Sequence, residues 1–205
     1  MPDISSVLFD ADGVVQSVPD DWLQQWEDFM VAPGDTKQFV SDIFAAEAPH
    51  AIGEPEFTAS IEKVLRKWNL LTKIDAVLEM WKKIILDEEI FALIQKIRNA
   101  GTFVGLATNQ HHYRLEYMQN SLKYSDYFDE LYVSCEIGYK KPSSEYFSYI
   151  INRLDCDSSK ILFVDDSEEN VIGAQNLGIN AARYHMKEGV GRLSDLLASY
   201  GIKCS

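Results

Sequence analysis

The stretch VLFDADGVV, residues 7–15, runs an apolar segment directly into two aspartates. Together with the preceding residues from Ile4, its apolar part predicts a buried β-strand that ends at Asp10. On an extended chain, residues two apart face the same side, about 6–7 Å from each other, so Asp10 and Asp12 can address one small group together. Gly13 permits the sharp turn that exposes the pair. The stretch therefore predicts a strand that delivers two carboxylates to a site.

The pattern after this strand divides the chain into two parts. Residues 16–85 contain four helical patterns, separated by the breaks APGD and APHAIGEP, and show no strand pattern. From residue 86 onward, strand and helix patterns alternate, which is typical of a parallel sheet with helices on both faces. We therefore predict a doubly wound, parallel-sheet α/β core, residues 1–15 and 86–205, with an inserted all-helical cap domain, residues 16–85.

Polar side chains end two further predicted strands. Thr108 and Asn109 follow the strand in TFVGLATN, and Asp165 and Asp166 end the strand KILFVDD. Ligands bind at the carboxyl ends of the strands in a doubly wound sheet, so these residues should lie near the first pair of carboxylates. Lys141 adds a cation from the intervening segment GYKKPSSEYF.

Up to four carboxylates would crowd this cleft. Unpaired, they would repel one another, and some would take up protons. A hard divalent cation removes the conflict, and Mg²⁺ typically takes one or two carboxylates together with waters and phosphate oxygens. The sequence therefore favours a magnesium site at the edge of the sheet.

Composition excludes some classes of partner. The chain has 205 residues and a formal net charge of -13, which makes it a poor general binder of nucleic acid or of an anionic membrane. No apolar stretch approaches the roughly 18 residues that a membrane span needs. The three cysteines, Cys135, Cys156 and Cys204, have no CxxC spacing and indicate free thiols in a reducing compartment. We expect a cytoplasmic protein, monomeric or homodimeric.

These motifs, taken together, resemble those of the haloacid dehalogenase superfamily of phosphohydrolases. FDADGVV matches the first motif of the superfamily, LATN the second, KKP the third and FVDDSEEN the fourth. The helical insert matches the small cap that follows the first motif. The segment ELYVSCEIGYKKPSSEYF is similar to the branch of small-capped phosphatases that act on sugar phosphates and related metabolites.

The resemblance implies catalytic and phosphate-binding roles. Asp10 would be the nucleophile that forms an aspartyl-phosphate. Asp12 would protonate the leaving oxygen and then activate the hydrolytic water, which requires a raised pKa that the neighbouring carboxylates could supply. Thr108 and Asn109 would bind a phosphoryl oxygen, and Lys141 would stabilise the charge on phosphate and nucleophile.

The resemblance also implies a Mg²⁺ site. Asp10, the backbone carbonyl of Asp12, and Asp166 would hold the ion, with Asp165 binding it directly or through water. The expected partner is a small phosphorylated metabolite, such as a sugar phosphate.

Other activities stay open at this stage. The same superfamily contains phosphosugar mutases, which return the phosphoryl group to a sugar, and 2-haloacid dehalogenases, which attack carbon. A non-catalytic phosphate-binding module would keep the fold without turnover. The presence of both aspartate pairs favours the Mg²⁺-dependent phosphomonoesterase.

Two residues after the second motif have an open role. His111 and His112 are expected to be solvent-exposed residues at a helix start, with contact to substrate as the alternative. Cys135 lacks an evident base and is expected to be an unreactive thiol.

Overall fold

The structure, a computed structural model, describes residues 3–29 and 35–203 and contains seven strands within them. In chain order they are β1 (Ser6–Phe9), β2 (Gln16–Ser17), β3 (Ile85–Leu86), β4 (Phe103–Thr108), β5 (Glu130–Val133), β6 (Ile161–Asp165) and β7 (Asn180–Arg183). Five of them form a parallel sheet in the order β5-β4-β1-β6-β7, and β2 and β3 form a separate antiparallel pair. The predicted parallel α/β fold class is confirmed.

Ten α-helices lie within the described residues. They are α1 (Trp22–Glu27), α2 (Thr36–Glu47), α3 (Phe57–Lys67), α4 (Ile74–Glu79), α5 (Glu88–Asn99), α6 (His112–Asn120), α7 (Ser134–Ile137), α8 (Ser144–Leu154), α9 (Glu168–Gln175) and α10 (Val190–Ser199). Across the described ranges, none of the helices combines the length and the apolar composition that crossing a bilayer requires.

The central strand β1 is apolar on both faces because helices cover both sides of the sheet. Val7 and Phe9 pack into a cluster that includes side chains of α5 and α10, whereas Leu8 packs into a second cluster with side chains of α8 and α9. This division follows from the period of two residues along a strand. The continuous apolar run before Asp10 is therefore the signature of a fully buried strand.

The helical insert has its own hydrophobic cluster. Trp26, at its centre, is fully buried and packs edge-on against Trp81, with ring centroids 5.7 Å apart. Side chains of α2, α3 and α4 complete the cluster. Because this cluster is distinct from the two that flank the sheet, the insert has a core separate from that of the α/β part.

A short ribbon joins the insert to the α/β part. Gln16 pairs with Leu86 and Ser17 pairs with Ile85, so both chain crossings lie side by side. The sequence showed no strand pattern here, because two-residue strands are too short to display alternation. The ribbon lies at the boundary predicted for the cap, and the division into two domains at residues 16 and 85 stays a prediction.

Candidate active site

Three aspartates converge at the carboxyl end of the sheet. Asp10 follows β1, Asp165 ends β6, and Asp166 comes directly after it. Each of the three offers a carboxylate oxygen, and these oxygens lie within 4.8 Å of one another. The convergence follows from the parallel pairing of β1 with β6, which brings the two strand ends to the same edge.

Lys141 neutralises part of this charge from inside the protein. Its Nζ lies 2.7 Å from Oδ1 of Asp10 and 2.6 Å from Oδ2 of Asp165. The lysine is 3% exposed, so both ion pairs are shielded from water. The cation is therefore held at a fixed position beside the carboxylate of Asp10.

Protein donors occupy the hydrogen-bond acceptor sites of the Asp165 carboxylate. Its Oδ1 accepts hydrogen bonds from the backbone N–H of Ser167 (2.8 Å) and from Nδ2 of Asn170 (3.1 Å). Its Oδ2 accepts from Lys141 (2.6 Å) and also from Asn170 (3.1 Å). Since an ionised carboxylate offers about four lone-pair sites, this fully buried side chain is better suited to anchoring Lys141 than to binding an ion directly.

Asn109 and Thr108 support the same corner of the site. The side chain of Asn109 accepts from the backbone N–H of Lys141 (2.9 Å) and donates to its carbonyl (3.0 Å). The amide thus fixes the loop that carries the lysine, although it was expected to bind phosphate. Thr108 ends β4, and both residues line the cavity described below.

Lys141 neutralises the carboxylate cluster only in part. Burial raises the pKa of Asp10 from 3.8 to about 7, an effect that Lys141 opposes and Asp165 reinforces. Burial, with the charge of Asp165, also raises the pKa of Asp166. Three carboxylates face one ammonium group, and the donors are oxygens, so the arrangement fits a hard divalent cation such as Mg²⁺.

Asp12 lies in a different electrostatic environment from the one expected. Nη1 of Arg114 lies 2.6 Å from Oδ2 of Asp12, and Nη2 lies 2.8 Å from Oδ1, so the pair is bidentate. Gln16 and Gln110 donate further hydrogen bonds, at 2.8 and 2.7 Å. Removal from water would raise the pKa of Asp12, but the charge and hydrogen bonds of Arg114 outweigh this effect and lower it. The predicted raised pKa was wrong for this arrangement.

Arg114 was missed at the sequence level because an arginine on an amphipathic helix is normally a solvated residue. It lies in the first turn of α6, five residues after the end of the second motif, and its side chain is 11% exposed. Gln110 and Gln16 likewise stand next to motif residues without belonging to them. The available indication in the sequence was that Gln110 and Arg114 follow Thr108 closely and that Gln16 follows Asp12.

His111 is buried, contrary to the expectation of a solvent-exposed position. It is 1% exposed, and its ring stacks on Phe57 of the insert with centroids 4.0 Å apart. Its Nε2 lies 3.2 Å from Oε1 of Glu47, and its Nδ1 accepts from the backbone N–H of Arg114 at the start of α6. The histidine therefore connects the insert to the α/β part.

His112 and Cys135 form a second contact outside the carboxylate cluster. His112 is exposed, as expected, and its Nδ1 lies 3.6 Å from Sγ of Cys135. Burial raises the pKa of the Cys135 thiol to about 12, so the thiol is unreactive at neutral pH. Cys156 is also free, and Cys204 lies outside the described residues.

Gly13 has a steric as well as a conformational reason to be glycine. Its φ is +81°, and an added Cβ would lie 2.5 Å from Oδ2 of Asp166. The turn after the first motif therefore passes directly against a carboxylate of the candidate metal site.

A cavity of about 790 Å³ opens above the carboxylates. Its floor is formed by the α/β part and includes Asp10, Thr108, Lys141 and Asp166. The insert also lines the cavity, and five of its lining residues are large and apolar. They are Trp22, Leu23, Phe44, Met80 and Trp81, which together are called the cap wall below.

Comparison with known proteins gives partial matches to two curated phosphatases. The sesquiterpene phosphatase of Aspergillus oryzae is 28% identical over 93 residues, which are 45% of this chain and 47% of that protein. The D-ribitol-5-phosphate phosphatase of Bacteroides thetaiotaomicron is 35% identical over 63 residues, which are 31% of each chain. The chain thus spans less than half the length of these relatives.

Solved structures and a family comparison extend the likeness to most of the chain. A haloacid dehalogenase family enzyme of Bacteroides thetaiotaomicron, solved as a mutant bound to magnesium and inorganic phosphate, has a TM-score of 0.78 at 21% identity. The match covers 93% of this chain and 98% of that one, and at this identity it shows a shared fold. The sequence profile of haloacid dehalogenase-like hydrolases matches residues 7–184. The chain belongs to the haloacid dehalogenase-like hydrolase family.

Proposed function

We propose that the protein is a Mg²⁺-dependent phosphomonoesterase. The observation that carries this proposal is the carboxylate cluster with one buried lysine: three aspartate oxygens within 4.8 Å of one another, and Nζ of Lys141 at 2.7 Å from Asp10. A phosphate ester brings oxygens of the kind that complete a magnesium shell. A dehalogenase attacks a neutral carbon, so its first step does not need a divalent cation to offset repulsion between the nucleophile and the attacked group.

Asp10 is the proposed nucleophile. One of its oxygens forms a bond to phosphorus while the bond from phosphorus to the ester oxygen breaks, and the alcohol leaves. Water then attacks the phosphorus of the aspartyl-phosphate, which releases inorganic phosphate and restores the carboxylate. The net reaction consumes one ester and one water and yields one alcohol and one phosphate.

The proposed metal ligands are Asp10, Asp166 and the backbone carbonyl of Asp12. When bound there, Mg²⁺ would offset the repulsion between nucleophile and phosphate and stabilise the charge that spreads over the transferring group. Asp165 anchors Lys141 and acts on an ion, if at all, through water. Thr108 and the backbone at Asn109 bind a phosphoryl oxygen, and Lys141 supplies a fixed positive charge beside it.

Asp12 is the proposed acid and base. Paired with Arg114, it is ionised and ready to accept a proton from the hydrolytic water. A phosphate dianion that arrives beside it raises its pKa and opposes the effect of Arg114, which favours the protonated form that the leaving oxygen needs. The arginine thus sets which of the two forms prevails in the free protein.

The comparisons support this chemistry at the level of the reaction. Two partially matching relatives are named as phosphatases, and a protein of the same fold binds magnesium and phosphate. Their named substrates differ, one a sesquiterpene and the other a sugar alcohol phosphate. We propose a phosphorylated small molecule as substrate, encountered in the cytoplasm by a monomer or homodimer.

The test is phosphate release from phenyl phosphate and a panel of phosphorylated metabolites, with Mg²⁺ or with EDTA. We expect phosphate release that needs Mg²⁺ and is lost in Asp10→Asn. In 18O-labelled water, the released inorganic phosphate should carry the label. Isomerised sugar phosphate without free phosphate would indicate a mutase. Metal-independent halide release from a 2-haloacid would indicate a dehalogenase.

A matched control keeps the result interpretable. Asp157→Asn removes an exposed aspartate that caps the short 3-10 turn before β6, at the opposite end of that strand from Asp165, and it should leave turnover unchanged. If wild-type protein is folded and releases no phosphate from any ester, the proposal is wrong.

A further inference from the structure

The two sides of the cavity differ in chemistry. The floor carries carboxylates, lysine, arginine and amide side chains, whereas the cap wall presents two tryptophans, a leucine, a phenylalanine and a methionine. Asp10 and the cap wall line the same cavity, so the alcohol part of an ester bound at Asp10 can contact the cap wall. The nature of this wall therefore bears on the group that is esterified to phosphate.

Two residues of the cap wall have solvent-exposed side chains. Leu23 is 67% exposed and Phe44 is 38% exposed. Phe44 contacts Trp22, with ring centroids 5.9 Å apart, so the exposed apolar surface is continuous with the aromatic surface beside it. Met80 and Trp81 are buried and form a fixed backing. A continuous apolar surface that faces a polar site is typical of a ligand-binding pocket.

Two polar groups of the insert beside the cap wall already have partners. Nε1 of Trp22 donates to the backbone carbonyl of Met80 at 3.4 Å, so the indole presents its ring to the cavity. The carboxylate of Glu47 lies 3.2 Å from His111. Among the described residues of the insert that line the cavity, the further polar side chains are Ser17 and Asp20. The other polar side chains of the lining belong to the α/β part and include Arg114, Asn170 and His185. A polyol held against the cap wall itself would leave hydroxyls without partners there, which is costly.

Resting on the proposed function, we propose that the ester hydrolysed at this site carries an apolar hydrocarbon group, which the cap wall binds. The sugar phosphate that the sequence motifs suggested is the alternative that the first test below separates from it. The reaction is the same hydrolysis, and the released alcohol is an alkyl or isoprenoid alcohol. Burial of the hydrocarbon against Leu23 and Phe44 supplies the binding free energy.

The first test compares kcat/KM for two classes of ester. Octyl phosphate and farnesyl phosphate, kept below the concentration at which micelles form, represent hydrocarbons, and glucose 6-phosphate and ribitol 5-phosphate represent polyols. Phenyl phosphate serves as the common reference. We expect a preference for the hydrocarbon esters of about tenfold or more, as a few methylenes in an apolar pocket provide. An equal or reversed preference overturns the substrate class while the phosphatase proposal stands. No turnover of any ester, including phenyl phosphate, refutes the proposed function itself.

The second test changes the cap wall. In the double variant Leu23→Gln/Phe44→Gln, the ratio of kcat/KM for farnesyl phosphate to that for ribitol 5-phosphate should fall about tenfold or more. Ile52→Gln is the matched control, because Ile52 is an apolar residue of the insert with 43% exposure and lies outside the cavity lining. It should leave the ratio unchanged. Circular dichroism and sedimentation confirm that each variant is folded and report its oligomeric state. An unchanged ratio in the double variant refutes the proposal. An unchanged ratio together with a changed oligomeric state also assigns the surface to contact between copies of the chain.

Discussion

Replacement of Lys141 by methionine tests the charge balance at the centre of the site. The change keeps most of the side-chain volume and removes the ammonium group that lies 2.7 Å from Asp10 and 2.6 Å from Asp165. Loss of one partner from a buried ion pair costs about 3–5 kcal/mol, because the remaining charge is left unpaired. For a chain of this size, each kcal/mol lowers Tm by about 2–4 °C, so Lys141→Met should lower Tm by about 6–20 °C at pH 8 in EDTA.

The same variant should show a characteristic dependence on pH. Burial already raises the pKa of Asp10 to about 7 with the lysine present, so the native state binds more protons than the unfolded state between pH 4 and pH 7. In that window, this group makes the protein less stable as pH rises. Without the lysine, the pKa of Asp10 is higher, so this pH window extends to higher pH. The stability deficit of the variant should therefore shrink as pH falls from 8 to 7, by about 1.4 kcal/mol for each proton taken up.

Urea denaturation in EDTA at both pH values measures the effect. Lys140→Met is the matched control, because Lys140 is the exposed neighbour of Lys141 and its loss should change the free energy of unfolding by less than about 0.5 kcal/mol. A deficit below about 1 kcal/mol for Lys141→Met at pH 8, or a deficit that is equal at pH 7 and pH 8, would refute the reasoning.

Three further predictions follow from the same geometry. Gly13→Ala should weaken Mg²⁺ binding about tenfold or more in calorimetry, because the new Cβ displaces Asp166, whereas Gly138→Ala, which has a similar φ but open space around it, should not. Arg114→Gln should raise the pKa of Asp12 and move the acidic limb of the kcat profile to higher pH; an unmoved limb would show that the pair does not tune the reaction. Mg²⁺ should raise Tm more at pH 8 than at pH 6, because the carboxylates whose pKa is raised must lose protons to bind the ion, and a pH-independent increment would contradict this.

The convergence of the motif residues was predictable because the topology of a parallel sheet leaves little choice. Asp10, Thr108 and Asp165 each stand at or just after the end of a neighbouring strand, and strand ends of a parallel sheet share one edge. The break APGD, residues 32–35, also separated two helical patterns of the insert correctly, since α2 begins directly after it at Thr36. These features depend on local pattern and on general rules of topology.

The pairing of Asp12 could not be predicted from the sequence. It depends on the rotation of α6 about its axis, which aims Arg114 at the cavity, and on the loop that places Gln110 beneath it. A small rotation of that helix would leave the arginine in solvent and the aspartate with a different pKa. The burial of His111 likewise depends on how the insert is seated on the α/β part, which no local pattern encodes.

The ribbon of β2 and β3 has a consequence for how such a protein can change over time. The insert leaves and rejoins the α/β part at paired residues, Gln16 with Leu86 and Ser17 with Ile85, and paired strands lie about 4.8 Å apart. A segment of any length can be spliced between two points so close together without altering the strand order or the placement of Asp10. On the proposed function, the chemistry and the choice of substrate would be carried by separable pieces of chain, and one could be exchanged while the other is retained.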